Sequence, residues 1–285
     1  MNQPTNILTP QQIVTANIRA SAGKTQLPLL RMVLLGIFAG IFIACGASAS
    51  SVAMHAIPNV GLARLVAGCI FPVGLMMIVF VGGELFTGDC LMIMGCLHGS
   101  YSLRSMLRVL TVVFFSNFLG AALLAVLVSS SSQFGFSGGL LGAFTIKVAL
   151  GKVTMSFSSA FVSGILCNLF VCIAVLMAAA AKDIAGKVWA IFFPIMAFVV
   201  SGYEHCVANM YYIPAGIFAA ANDTYVQAAM YQYGYSAAQL ESLNWMNFLV
   251  KNLIPVTLGN IVGGMVLVGL PLYLIHREQL RIVEI

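Results

Sequence analysis

The chain has 285 residues, of which 61% are apolar and only 7% charged, with a formal net charge of +5. Soluble domains carry about a quarter of their residues as charges, so this composition excludes an ordinary cytosolic domain and gives no support to a nucleic-acid-binding module. It supplies about six apolar segments of roughly 20 residues, the length that crosses a hydrocarbon core, and reads as an integral protein of the lipid bilayer. The seven cysteines fall mostly inside apolar segments, with no CxxC or His/Cys metal spacing. They read as small packing residues, and neither a metal nor a cofactor is expected.

In chain order, residues 1–30 read as a cytoplasmic lead-in without the short apolar core and small-residue cleavage site of a secretory signal. Thr9-Pro10-Gln11-Gln12 has the form of a helix start, with proline at the first helical position and glutamine placed to complete a capping box. Ile13, Ala16 and Ala20 would then make one weakly apolar face lying at the interface; a plain tail is the alternative. Residues 31–276 read as one pore domain of six membrane spans, and 277–285 as a cytoplasmic tail.

Span 1, about 31–54, carries Gly36, Gly40 and Gly46, which suit close helix packing in lipid. Span 2 follows Arg64 and ends near 95, broken at Gly82-Gly83-Glu84-Leu85-Phe86-Thr87-Gly88-Asp89. Span 3 is about 107–130 and contains Asn117. A Ser/Gly-rich connector, 129–151, leads past Lys147 and Lys152 into span 4, about 154–181, with Asn168. Span 5, about 188–219, breaks at Ser201-Gly202, and Glu204, His205 and Asn209 follow at once. A polar, Tyr-rich connector, 220–245, precedes span 6, about 250–275, which carries Asn260. His55, His98 and His276 fall in connectors or at a span end and read as solvated or interfacial.

Six spans put both ends on one side. Nine lysines and arginines, from Arg19 to Arg281, then share the side of the termini, against Arg64, Lys147, Lys152 and Lys251 opposite. The positive-inside rule therefore predicts cytoplasmic termini in a plasma or inner membrane.

The two halves echo each other. Phe71-Pro72 precedes Gly82-Gly83-Glu84 as Phe193-Pro194 precedes Gly202-Tyr203-Glu204. Asn117-Phe118-Leu119-Gly120 parallels Asn260-Ile261-Val262-Gly263. Three spans per half give the halves opposite orientations, so the pattern predicts an inverted repeat, and matched helix breaks point to a transport site near the midplane.

The breaks carry the chemistry. Ionisable groups at membrane depth are costly and normally face a cavity or a partner. Half-helix N-termini present positive dipole ends to an anion. Thr87 offers a hydroxyl at the first break, and His205 a hydrogen bond or a proton at the second. Lys152 either draws anions in or is an interfacial topology charge. Asn168, Asn209 and Asn260 either line the route or tie helices together. Phe71, Leu75, Leu85, Phe86 and Phe198 are ordinary packing or narrow constrictions that exclude hydrated ions. A bare anion is strongly disfavoured in such a constriction and its conjugate acid much less so. A histidine between constrictions could therefore lend a proton to a weak-acid anion. Glu84 and Glu204 are expected to hold the loop backbone by accepting N–H bonds, with ion coupling as the alternative.

Val79-Phe80-Val81-Gly82-Gly83-Glu84-Leu85-Phe86-Thr87-Gly88 and the run 164–174 around Asn168 resemble the two signature stretches of the formate/nitrite transporter family. Residues 201–210 and 254–260 extend the resemblance over about 30–275. It implies a homopentamer of aquaporin-like protomers, each with its own pore. It puts the family's threonine on Thr87, its central histidine on His205 and its vestibule lysine on Lys152. Its pore asparagines fall on Asn168 and Asn260, and its constriction on Phe71, Leu75, Leu85, Phe86 and Phe198. Members carry formate, nitrite or hydrosulfide; the Phe71-Pro72-Val73-Gly74-Leu75 run looks closest to formate-transporting members. A water or glycerol channel is a rival reading, but the paired Asn-Pro-Ala boxes are absent. A membrane enzyme would need a catalytic partner for His205 that the sequence does not offer, so no enzyme is expected.

Overall fold

The computed structural model describes residues 7–280; residues 1–6 of the lead-in and 281–285 of the tail lie outside the described residues. Residues 7–280 are almost wholly helical, with one isolated bridge between Ile7 and Ala181. Seven helical segments are long and apolar enough to cross a membrane.

Helix α1 (Pro10–Thr25) begins as the sequence predicts. Thr9 Oγ1 accepts from Gln12 N–H, and Gln12 Oε1 accepts from Thr9 N–H at 2.9 Å. Its buried face is Val14, Ile18 and Ser21 rather than Ile13, Ala16 and Ala20, and Ala20 is exposed. The helix packs on protein: Val14 and Ile18 join a cluster with Leu91, Met94, Leu176 and Val268. A docked helix buries the stripe its neighbours select, which its own weak apolar pattern does not fix.

Helix α2 (Leu29–Met54) has 26 residues. The second segment comprises α3 (Val60–Ile70), a kink at Phe71-Pro72 and α4 (Val73–Val81). After a break come α5 (Phe86–Asp89) and α6 (Ile93–His98). Helix α7 (Leu103–Ser130) follows a Ser102 cap. Four of the apolar helices are started by a short polar side chain: Asn59, Ser102, Ser156 and Asp183 each accept a backbone N–H of the first turn.

The 129–151 connector is half correct. Residues 131–139 are irregular, with Ser137, Gly138 and Gly139 all at positive φ. From there α8 (Leu140–Val153) is a helix, largely buried against later elements, and Lys152 stands in its last turn. The Ser/Gly cluster signals the loop but hides the helix, because α8 is moderately apolar and its order comes from burial.

Helix α9 (Phe157–Ala180) leads to α10 (Ile184–Ser201), the second break, and α11 (Cys206–Ala219). The Tyr-rich connector folds into α12 (Asp223–Tyr233), α13 (Ala237–Glu241) and α14 (Trp245–Asn247). A continuous apolar segment then runs from Trp245 to Leu280, 36 residues. It contains α15 (Ile254–Ile261) and α16 (Leu270–Leu280), with π-helical stretches at 248–253 and 262–269.

Two helix pairs approach by their glycines. A Cβ at Gly40 would meet the Asn117 carbonyl, and one at Gly120 the Ile37 carbonyl, where α2 crosses α7. A Cβ at Gly164 or Gly259 would do the same where α9 crosses α15. Such close backbone approach is how helices bind in a solvent as apolar as their side chains. Outward faces stay greasy, with Phe115, Leu119 and Leu127 exposed on α7.

Candidate functional site

The two breaks are built alike. At the first, Gly82 takes φ +105° and ends α4; at the second, Gly202 takes φ +73° and ends α10. Four residues later the chain re-enters a helix, at Phe86 and at Cys206. The N–H and C=O groups freed in between need partners at membrane depth, and one asparagine supplies most of them at each break. Asn117 Oδ1 accepts from Phe86 N–H at 2.9 Å, while its Nδ2 donates to the carbonyls of Glu84 and Gly36, both at 2.8 Å. Asn260 Oδ1 accepts from Cys206 N–H at 2.9 Å, and its Nδ2 donates to the carbonyls of Glu204 at 3.0 Å and Gly164 at 2.7 Å. Both asparagines are fully buried. Asn260 is thus a brace; Asn117, seen in the sequence only as its echo, does the same work.

Between the breaks, Thr87 and His205 meet. Thr87 Oγ1 lies 2.9 Å from His205 Nε2. His205 Nδ1 accepts the backbone N–H of Ala208 at 3.0 Å and so caps α11. That bond fixes the neutral tautomer: the ring proton sits on Nε2 and is donated to Thr87, leaving the threonine's own hydrogen free. An imidazolium would set an N–H against the Ala208 N–H and break the cap. Asn168 lies behind, its Nδ2 donating to the Thr87 carbonyl at 3.2 Å and the Asn260 carbonyl at 2.6 Å. It ties the two breaks together.

The glutamates differ from expectation. Glu204 accepts no backbone N–H on its carboxylate. It meets Lys152 Nζ at 2.8 Å, Asn209 Nδ2 at 2.7 Å and Asn252 Nδ2 at 3.3 Å. Lys152 therefore spends its charge on Glu204, with its ammonium 5.2 Å from the Tyr212 ring centre. Glu84 is met by Lys24 of α1 at 2.6 Å, and the same ammonium reaches Asp89 at 2.5 Å. Burial alone would pull the Lys24 ammonium down, but attraction to Asp89 and then Glu84 overrides it and holds the group above the usual lysine value. Sequence reasoning missed Lys24 and Asn252: one sits in a polar lead-in and the other at a span edge, and no local pattern links either to a glutamate.

Two cavities approach this centre from opposite faces. One, of about 170 Å³, is lined by Phe71, Phe198, Lys152, Asn209, Arg64 and His205 among others. The other, of about 180 Å³, lies on the face where α1 docks and is lined by Lys24, Leu75, Leu85 and Asp89 among others. Phe71 lines the first cavity and Leu75 the second, four residues apart across the Phe71-Pro72 kink, so a short apolar partition separates the two. Phe71 and Phe198 close it edge to face, with ring centres 5.5 Å apart, and Phe198 lies 6.1 Å from the His205 ring. Phe71, Leu75, Leu85, Phe198 and His205 are all buried. Phe86 departs from the predicted set: it lines neither cavity and packs on Phe114, ring centres 5.0 Å apart. His55, His98 and His276 sit half-buried with partners close in the chain or in a loop: Ser137, Ser100 and Gln279.

Apolar crossing helices, two breaks near one buried imidazole and a cavity from each face define a multi-pass membrane protein of the channel or transporter type. The chain belongs to the formate/nitrite transporter family: the model of that family, Formate/nitrite transporter, matches residues 11–274. A probable formate transporter of Methanothermobacter thermautotrophicus is 37% identical over 270 residues, covering 86% of this chain and 89% of that one. The formate channel FocA of Haemophilus influenzae is 40% identical over 209 residues, 73% of each chain. A solved pentameric formate channel with formate bound superimposes with a TM-score of 0.77 at 36% identity, covering 87% of this chain and 98% of that one.

Proposed function

We propose that this protein conducts small monovalent weak-acid anions, formate foremost, through a pore in each protomer of a homopentamer. Family membership and the formate channels among its relatives support the substrate. The observation that carries the mechanism is the thin apolar partition beside the Thr87–His205 pair. Residues 31–276 form the pore domain, with six crossings in two inverted halves and α8 lying half-way on the far face. The shared asparagine braces and paired glycine crossings favour that repeat. Both termini are cytoplasmic, as the distribution of basic residues favours.

An ion of formate's size loses its hydration between Phe71, Leu75, Leu85 and Phe198, at a cost its neutral acid avoids. Thr87, whose oxygen accepts His205 Nε2–H, turns its hydroxyl hydrogen to the anion and shortens the dry interval. His205 can release Nε2–H only if Nδ1 gains a proton and lets go of Ala208, so proton transfer and the α11 cap are linked. Asn209, Asn168 and Asn260 position the loops, and Lys152 with Glu204 holds the far loop in register. Flux of formate, nitrite and hydrosulfide into proteoliposomes at two pH values tests the reading. Formate is expected to pass fastest and His205→Asn or His205→Phe to abolish the pH dependence; an unchanged pH profile in both variants would sink the histidine's role. Glycerol swelling is expected to be absent.

A further inference from the structure

The cavity that ends at His205 opens into a larger basin of about 650 Å³ on the far face, and Met54, Arg64 and Val148 line both. No aspartate or glutamate lines either one among the described residues. The basin holds a second cation, Lys147, whose ammonium rests 4.5 Å from the Tyr233 ring centre of α12 and 5.9 Å from that of Phe144. Lys152, the cation the sequence singles out, is paired with Glu204. Arg64 has no carboxylate partner among the described residues. Its Nη1 donates to the Val200 carbonyl at 3.3 Å, and its guanidinium lies over Gly202 at the end of α10, leaving further N–H groups at the seam between the cavities.

We propose that Arg64 is the anion-capture residue of the far mouth, drawing planar two-oxygen anions from the basin into the cavity that leads to His205, with Lys147 as the basin's auxiliary charge. This deepens the channel reading and rests on it. A guanidinium presents parallel N–H groups that match the two oxygens of a carboxylate. Facing low-dielectric walls, an unpaired cation raises the local anion concentration, and salt screens the effect. The bond to Val200 gives the opposing explanation, a mere cap on the end of α10.

The test is initial formate uptake in proteoliposomes with formate presented to the far face, as a function of formate concentration and ionic strength. Arg64→Gln is expected to raise KM about tenfold at low salt, far more than it changes the maximal rate, and to flatten the salt dependence. Arg64→Lys, which keeps the charge and loses the fork, is expected to restore the salt dependence and only part of the KM. Arg64→Gln with the native KM and salt slope would overturn the assignment, as would both variants losing maximal rate at constant KM. Lys147→Gln, away from both breaks, provides an arm that survives if Arg64→Gln does not assemble: a smaller KM rise with a shallower slope is expected, and a native slope counts against the basin. Native vesicles that pass no formate would bring down the channel reading and this assignment together; active native vesicles with indifferent variants bring down the assignment alone.

Discussion

The Gly82–Leu85 break and the Gly202–His205 break share a backbone and differ in charge. Each opens on a glycine at positive φ and is braced by one buried asparagine making three hydrogen bonds. Around Glu204 the balance is one lysine, one glutamate and two neutral amides. Around Glu84 it is one lysine and two carboxylates, and the lysine comes from α1, outside the membrane segments. The brace answers a demand every interrupted helix in lipid makes, so both breaks answer it the same way. The charges answer to the face each break looks toward, so they diverge.

The largest effects should come from attacking what is shared. Asn117→Leu and Asn260→Leu each orphan one buried N–H and one break carbonyl and strip a second bond from a helix carbonyl, and each is expected to destabilise by about 3 kcal/mol. Thermal melts in detergent should fall alike for both; a tolerant Asn260→Leu beside an intolerant Asn117→Leu would break the equivalence. Next come the glutamates. Glu204→Gln strands the Lys152 charge and should cost about 3 kcal/mol, toward the low end for breaking a buried pair because Lys152 is partly exposed. Glu84→Gln leaves Lys24 its Asp89 and should cost clearly less in the same assay.

The glycines sharpen the comparison further. Gly82→Ala and Gly202→Ala both force a side chain into positive φ, at about 1–2 kcal/mol. Gly202→Ala should be the worse, because its new Cβ would also strike Arg64 Nη1. The smallest effect concerns pH. Because Lys24 is held above its ordinary value of 10.5, its contribution to docking α1 is complete below that value and is lost only as pH rises through the raised one. Protease cleavage at the exposed Arg19 should therefore be equally slow at about pH 8 and about pH 10. Lys24→Met should speed it at both, since it leaves Glu84 and Asp89 facing each other unpaired.

What could be read in advance follows from how local each signal is. The Gly-Gly-Glu and Ser-Gly-Tyr-Glu interruptions stand out because glycine and charge are anomalies in an apolar run. The Thr9 capping box was legible because it closes within four residues. Helix α8 was not, since its helicity is enforced by α11 and α12 rather than by its own pattern. Phe86 lies beside the first break and adjoins Leu85, but one residue of helix turns it away, onto Phe114.

By itself the sequence determined that this chain lives in a bilayer, where it breaks, and which family it joins, because hydropathy and rare polar residues are written residue by residue. Only the tertiary structure decided that Lys152 and Lys24 are bound to glutamates while Arg64 has no carboxylate partner among the described residues, and that His205 caps a helix with one nitrogen and meets Thr87 with the other. Pairing of charges and tautomers depends on atoms brought together across 52, 60 or 118 residues of chain, and no spacing rule carries that information.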